Sequence, residues 1–312
     1  MERVIGRYTG ADKGPLLIVF GGMHGNEPAG VEALEIMFRM LEVEPRVNPS
    51  FRFKGRLLGV RGNLQALKKK KRFIRRDLNR LWVPEIVEKV RKADPETLCF
   101  EEREMREILD LVSREIETYA PEKVVVLDIH TTTAFGGIFS IATDDPESLR
   151  IAVELHAPVI TNMLEGHGLK GTSLHFFNTQ NFGVNMVPVV FEAGQHSEQL
   201  SVNRSIAAIT NCLRTIGCVR AEDVENRHDS ILIEYSKGLP KVAKLVMIHQ
   251  IKNGDKFKMR PNYKNFQPVR KGEVLAYDKN GEIRAQTDGM VLMPLYQKQG
   301  DDGFFLVQPV DY

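Results

Sequence analysis

Two side chains that can share one divalent cation stand near the start of the chain. They are His24 and Glu27 in the stretch Gly21-Gly22-Met23-His24-Gly25-Asn26-Glu27. A catalytic zinc asks for three protein ligands and keeps one position open for water. The third candidate is His130, which ends the run Lys123-Val124-Val125-Val126-Leu127-Asp128-Ile129-His130. Two neutral imidazoles and one carboxylate leave the ion partly positive, and a water bound to it is acidified towards neutrality. The set therefore predicts one Zn2+ per chain. Glu192, after Val187-Pro188-Val189-Val190-Phe191, can take that water's proton and return it to a leaving amine. Asp128 falls on the same strand face as His130 and can hydrogen-bond a ligand or a loop amide from behind.

A second group of donors follows the basic run Lys68-Lys69-Lys70-Lys71-Arg72. The four lysines read as a solvated face. The segment from Arg72 to Arg80 is denser in donors set beside apolar anchors. Asn79 and Arg80 can polarise a scissile carbonyl and hold the developing oxyanion. Arg72 can grip a substrate carboxylate with a two-pronged hydrogen bond. The expected partner is a small anionic molecule. His156, His167, His175, His196, His228 and His249 lack a matching motif, and among them His196 lies nearest to Glu192.

The elements that must position these residues follow from pattern. Leu16 to Phe20, Arg56 to Val60, 123–130, Ile138 to Ala142 and Val187 to Phe191 are apolar runs of the buried-strand type. Helical periodicity covers Val31 to Leu41, 101–119, 146–157 and Ser201 to Ile216, with Met105, Ile108, Leu109 and Val112 forming the clearest stripe. His24 with Glu27, His130, and Glu192 thus fall at three strand ends, where α/β enzymes commonly place their sites. Beyond residue 220 short β-rich runs take over at 242–251, 256–260, 273–277, 282–285, 289–295 and 303–308. The expected division is a catalytic domain over 1–224 and a β-rich domain over 225–312. The turns Lys271-Gly272-Glu273 and Asp288-Gly289-Met290 resemble those of barrel-sandwich carrier domains, but no carrier lysine motif is present. The second domain is read as structural or as a lid.

Composition bounds the alternatives. The 312 residues are 42% hydrophobic and 27% charged with net charge +2, which fits a globular protein and points to no nucleic acid partner. The amino terminus lacks the apolar core of a signal peptide, and no run approaches a membrane span. Cys99, Cys212 and Cys218 cannot all pair and show no metal spacing. The expectation is a cytoplasmic protein with no membrane partner. Assembly into a homo-oligomer is left open.

The division of ligands between His24 with Glu27 and a distant His130 resembles that of zinc carboxypeptidases. More specifically, Gly22-Met23-His24-Gly25-Asn26-Glu27, Asp77-Leu78-Asn79-Arg80, Asp128-Ile129-His130-Thr131-Thr132 and Phe191-Glu192-Ala193-Gly194 resemble the signatures of the succinylglutamate desuccinylase/aspartoacylase family. The resemblance implies a carboxypeptidase-like fold, a mixed α/β sheet with helices on both faces, plus a smaller β domain. It implies zinc on His24, Glu27 and His130, with Glu192 as general acid/base. It also implies Asn79 and Arg80 as the substrate-contacting pair, with Arg72 matching an arginine just ahead of them. Arg75 stands where members commonly carry an acid. The substrate tyrosine of aspartoacylases has no match, Tyr296 being nearest. The expected activity is a zinc-dependent amidohydrolase acting on an N-acyl amino acid. The competing readings are a metallocarboxypeptidase for short peptides and a non-catalytic metal- or ligand-binding module.

Overall fold

The apolar runs become the inner strands of one large sheet. In chain order the strands are β1 (Val4–Thr9), β2 (Asp12–Gly21), β3 (Lys54–Arg61), β4 (Lys123–Thr132), β5 (Phe139–Ala142), β6 (Val159–Thr161) and β7 (Asn185–Gln195). They continue with β8 (Val242–Gln250), β9 (Lys258–Met259), β10 (Gln267–Val269), β11 (Val274–Asp278), β12 (Gly281–Arg284), β13 (Gly289–Leu292) and β14 (Asp302–Pro309). The helices are α1 (Ala29–Val47), α2 (Leu64–Lys69), α3 (Pro84–Lys92), α4 (Phe100–Tyr119), α5 (Pro146–Glu154), α6 (Ser173–Phe176), α7 (Thr179–Phe182), α8 (Leu200–Thr215) and α9 (Arg227–Tyr235). The structure, a computed structural model, describes residues 1–164, 169–223 and 227–311.

Among the described residues, eleven strands form one mixed sheet in the order β1-β3-β2-β4-β7-β5-β6-β8-β14-β13-β10, and β12-β11-β9 form a second. β3, β2, β4 and β7 run parallel. Both faces of these strands are covered, which is why their sequences read as unbroken apolar runs. On one face α1, α5 and α8 bring Leu34, Ile151 and Ile209 onto Leu17, Val19, Val125 and Leu127. On the other, α3 and α4 bring Val90, Met105, Ile108 and Val112 onto Leu16, Ile18, Val124 and Val126.

That second face changes character along the strands. Side chains alternate, so β4 follows Val124 and Val126 with Asp128 and His130 on the same side. In parallel register β7 places Val190 beside Asp128 and Glu192 beside His130. The apolar half anchors the strands, and the polar half emerges at their carboxyl ends.

The C-terminal region is β-rich as its pattern predicts, and antiparallel, with β14 pairing β8 and β13, and β10 pairing β13. It does not stand apart from the main sheet: β8 runs parallel to β6 and carries the sheet onward. β6 is only three residues long, too short to show in the sequence pattern. The expected division at 224/225 lies outside the described residues, as does His167. No described helix is long and apolar enough to cross a membrane. All three cysteines are free.

Candidate metal and acid–base centre

His24 and Glu27 sit in the loop between β2 and α1. Gly22 takes φ +73° there, which favours a residue without a side chain. A Cβ on Gly25 would lie 2.0 Å from the Ala66 carbonyl carbon, so this glycine lets the loop press against α2. His130 enters from the end of β4, the central parallel strand. The donor atoms of His24, Glu27 and His130 lie within 4.8 Å of one another, and all three residues are buried. His24 Nδ1 is 2.9 Å from Glu27 Oε1, and His130 Nδ1 is 3.1 Å from Glu27 Oε2. The backbone N–H of Thr131 also donates to Glu27 Oε2 at 3.0 Å.

The outward nitrogens meet carboxylates. His24 Nε2 is 3.0 Å from Asp77 Oδ1. His130 Nε2 is 3.1 Å from Asp128 Oδ2, at ion-pair distance but out of line for a hydrogen bond. A carboxylate behind each imidazole sets its orientation and raises its basicity as a ligand. Asp128 is itself held by the Ser173 hydroxyl, which donates to Oδ2. Asp77 gathers more: its Oδ1 also accepts the Asn79 N–H at 2.9 Å, and its Oδ2 lies 3.0 Å from Arg72 Nε and 2.9 Å from an Arg72 Nη. One buried carboxylate therefore fixes a ligand, a helical turn and an arginine together. The loop bearing them is tied down by Glu101 of α4, which accepts the Ile74 N–H at 2.7 Å.

The electrostatics follow from this packing. Burial alone would raise Glu27, but the flanking imidazoles outweigh it and hold the carboxyl well below its ordinary range. Burial likewise opposes ionisation of Asp77, and Arg72 and His24 overcome it. Burial would lower His130, yet Asp128 and Glu27 raise it well above the ordinary histidine value. Glu192 has the opposite balance. Burial dominates, His130 opposes it, Glu27 adds to it, and the carboxyl is pushed up to about 8. Its Oε2 is buried with no hydrogen-bond partner among the described residues. Two convergent imidazoles, a carboxylate between them and an uncompensated carboxyl alongside fit a divalent cation.

Every site residue read from sequence lines one cavity: His24, Glu27, Arg72, Asn79, Arg80, His130 and Glu192. Its empty volume is about 850 Å³, open mouth included. Within it the two arginines part company. An Arg72 Nη is 3.7 Å from Glu27 Oε1, close to the candidate metal ligands. Arg80 donates to the Asn79 carbonyl at 2.7 Å and to the Asp302 carboxylate at the start of β14. Asn79 Oδ1 accepts the Ser173 N–H at 2.8 Å, and Asn79 lines the cavity. His196 also lines the cavity, with Nδ1 2.7 Å from Thr131 Oγ1. Arg75 is exposed and Tyr296 binds the Arg260 carbonyl at 2.8 Å; neither lines the cavity. The sequence reading gives no role to Asp77, Ser173 or Asp302. Asp77 could have been found from its place two residues before Asn79, whereas Ser173 and Asp302 carry no local signal.

The chain matches the sequence profile described as "Succinylglutamate desuccinylase/Aspartoacylase catalytic domain" over residues 13–216. A relative described as "Probable aspartoacylase" from Nostoc sp. is 30% identical over 138 residues, 44% of this chain and 42% of that one. A succinylglutamate desuccinylase from Pseudomonas paraeruginosa is 36% identical over 74 residues, 23% of this chain and 20% of that one. The chain thus spans less than half the length of these curated relatives. Among solved structures, a succinylglutamate desuccinylase/aspartoacylase from Rhodobacter sphaeroides superposes with TM-score 0.64 at 16% identity. That alignment covers 96% of this chain and 87% of the other, and shows the shared fold.

Proposed function

The chain belongs to the succinylglutamate desuccinylase/aspartoacylase catalytic family, and on that premise we infer that it is a zinc-dependent amidohydrolase releasing the acyl group of a small N-acyl amino acid, anionic through its α-carboxylate. The observation that carries this reading is the convergence of His24, Glu27 and His130 beside the buried, unpartnered carboxyl of Glu192. A divalent cation bound there supplies a Lewis acid and a water of lowered pKa.

The chain's own groups supply the rest. Glu192 accepts a proton from water and passes it to the departing amine. Asp77 and Asp128 hold the two imidazoles in place. Sequence alone puts Arg80 at the scissile carbonyl and Arg72 at the substrate carboxylate. The nearness of Arg72 to Glu27 favours the exchange. Arg72, beside Glu27, is placed to hold the oxygen that gains charge as the amide is attacked. Asn79, anchored by Ser173, and Arg80, paired with Asp302, are then assigned to the α-carboxylate.

The test is turnover of N-acyl amino acids and of a short peptide, with and without a chelator. We expect chelator-sensitive release of free amino acid from the acylated amino acids, with the peptide far slower. Preferential cleavage of the peptide would transfer the site to a carboxypeptidase role. Absence of any turnover in metal-replete protein would leave a binding module.

A further inference from the structure

The cavity is poorly furnished for a second acid on its substrate. Apart from histidines, its lining holds two cationic side chains among the described residues, and both are engaged. Arg72 is committed to Asp77, and Arg80 to Asp302. Asp301 lines the cavity as well, so the wall around Arg80 carries more negative charge than positive. No lysine reaches it among the described residues.

Part of the wall is apolar. Ile141, Met163, Leu174, Val190, Leu295 and Phe305 all face the cavity. Their placement is specific. Val190 precedes Glu192 by two residues on β7 and so shares its face. Ile141 on β5 is in register with Val190. Leu174 follows Ser173, whose N–H is held by Asn79. The apolar wall thus bridges Glu192 and the pair Asn79 and Arg80. In the reading above, the first receives the leaving amine and the second the α-carboxylate. The carbon between those two groups bears the amino-acid side chain, which must then lie on the apolar wall.

We propose that the site selects N-acyl amino acids with an apolar side chain, rather than acylated aspartate or glutamate, and that Val190, Ile141, Leu174 and Leu295 determine that choice. The proposal rests on the deacylase reading and narrows it. A carboxylate on the wall would lose its water without gaining a cation, which is a heavy penalty. Each methylene buried there should improve kcat/KM roughly fourfold.

The experiment compares kcat/KM for N-acetyl-L-leucine, N-acetyl-L-aspartate, N-acetyl-L-lysine and N-hexanoylglycine on the metal-replete enzyme. Binding of free L-leucine and L-aspartate is measured by calorimetry as a readout independent of turnover. N-acetyl-leucine should exceed N-acetyl-aspartate by roughly a hundredfold or more, and leucine should bind where aspartate does not. Val190→Ala should lower the leucine substrate roughly tenfold, and N-acetylglycine by much less. Leu295→Arg alters a partly exposed loop residue that the fold can spare, and it should move the aspartate-to-leucine ratio at least tenfold towards aspartate. Preference for the aspartate or lysine substrate overturns the proposal, as does an unchanged ratio in Leu295→Arg. Faster turnover of N-hexanoylglycine than of N-acetyl-leucine also overturns it, since the apolar group would then belong to the acyl half. If none of the amides is hydrolysed, the deacylase reading itself fails. Hydrolysis with acidic preference sinks only the present proposal.

Discussion

Glu192→Gln in chelator-treated protein probes the electrostatics of the site without any catalysis. The carboxyl is buried, and burial is the chief reason it is pushed from an ordinary 4.5 up to about 8, with Glu27 adding to the effect. In the unfolded chain it ionises near its ordinary value, so between the two values the folded state holds an extra proton. Stability from this group is therefore complete at low pH and falls as pH rises through that window. At about 1.4 kcal/mol per tenfold change, the ceiling on that loss is on the order of 5 kcal/mol. Water can reach the group through the open cavity and solvate the ionised form, so we expect on the order of 2 kcal/mol. Glutamine keeps the shape and has no proton to lose, so its own cost in the pocket does not vary with pH. Trp82, the single tryptophan and fully buried, reports unfolding by fluorescence in urea. The variant should gain on the wild type by about that amount as pH rises from about 5 to about 8, and no further above it. Parallel stability profiles over that range would refute the placement of Glu192 in an uncompensated buried setting.

Other consequences are read from binding and rate. His24→Ala and His130→Ala should each lose the bound metal, seen by elemental analysis of purified protein; full occupancy in both variants would remove the ligand assignment. Asp77→Asn keeps the shape behind His24 but drops the charge, and competition with a chelator should show metal affinity reduced roughly 10- to 100-fold. With metal restored, Glu192→Gln should retain its ion while turnover falls by roughly two to four orders of magnitude, and a change of only a few-fold would take the proton transfer elsewhere. Arg72→Lys should act mainly on kcat and Arg80→Lys mainly on KM; the reverse pattern would return the arginines to the roles suggested by sequence alone.

The sequence alone carried the candidate ligand set and the frame that presents it. Val124, Val126 and the apolar runs at 16–20 and 187–191 are local signals, because parallel strands buried on both faces must be continuously apolar. A polar residue ending such a run, as His130 and Glu192 do, marks the strand end that opens onto a site. The amphipathic stripe of α4 is equally legible, since its period is set by helix geometry. Other features depended on residues far apart in the chain. The C-terminal β texture was visible, but not that β8 would hydrogen-bond to β6 and continue the main sheet. Strand pairing leaves no mark in either strand's own sequence. Which arginine lies near Glu27 was decided by Asp77, and the other was claimed by Asp302, more than two hundred residues away. A guanidinium on a long side chain goes where a carboxylate waits, and only the folded chain brings those carboxylates within reach. The apolar wall likewise draws on β5, β7, β14 and the loops between, so its chemistry existed only once the sheet had assembled.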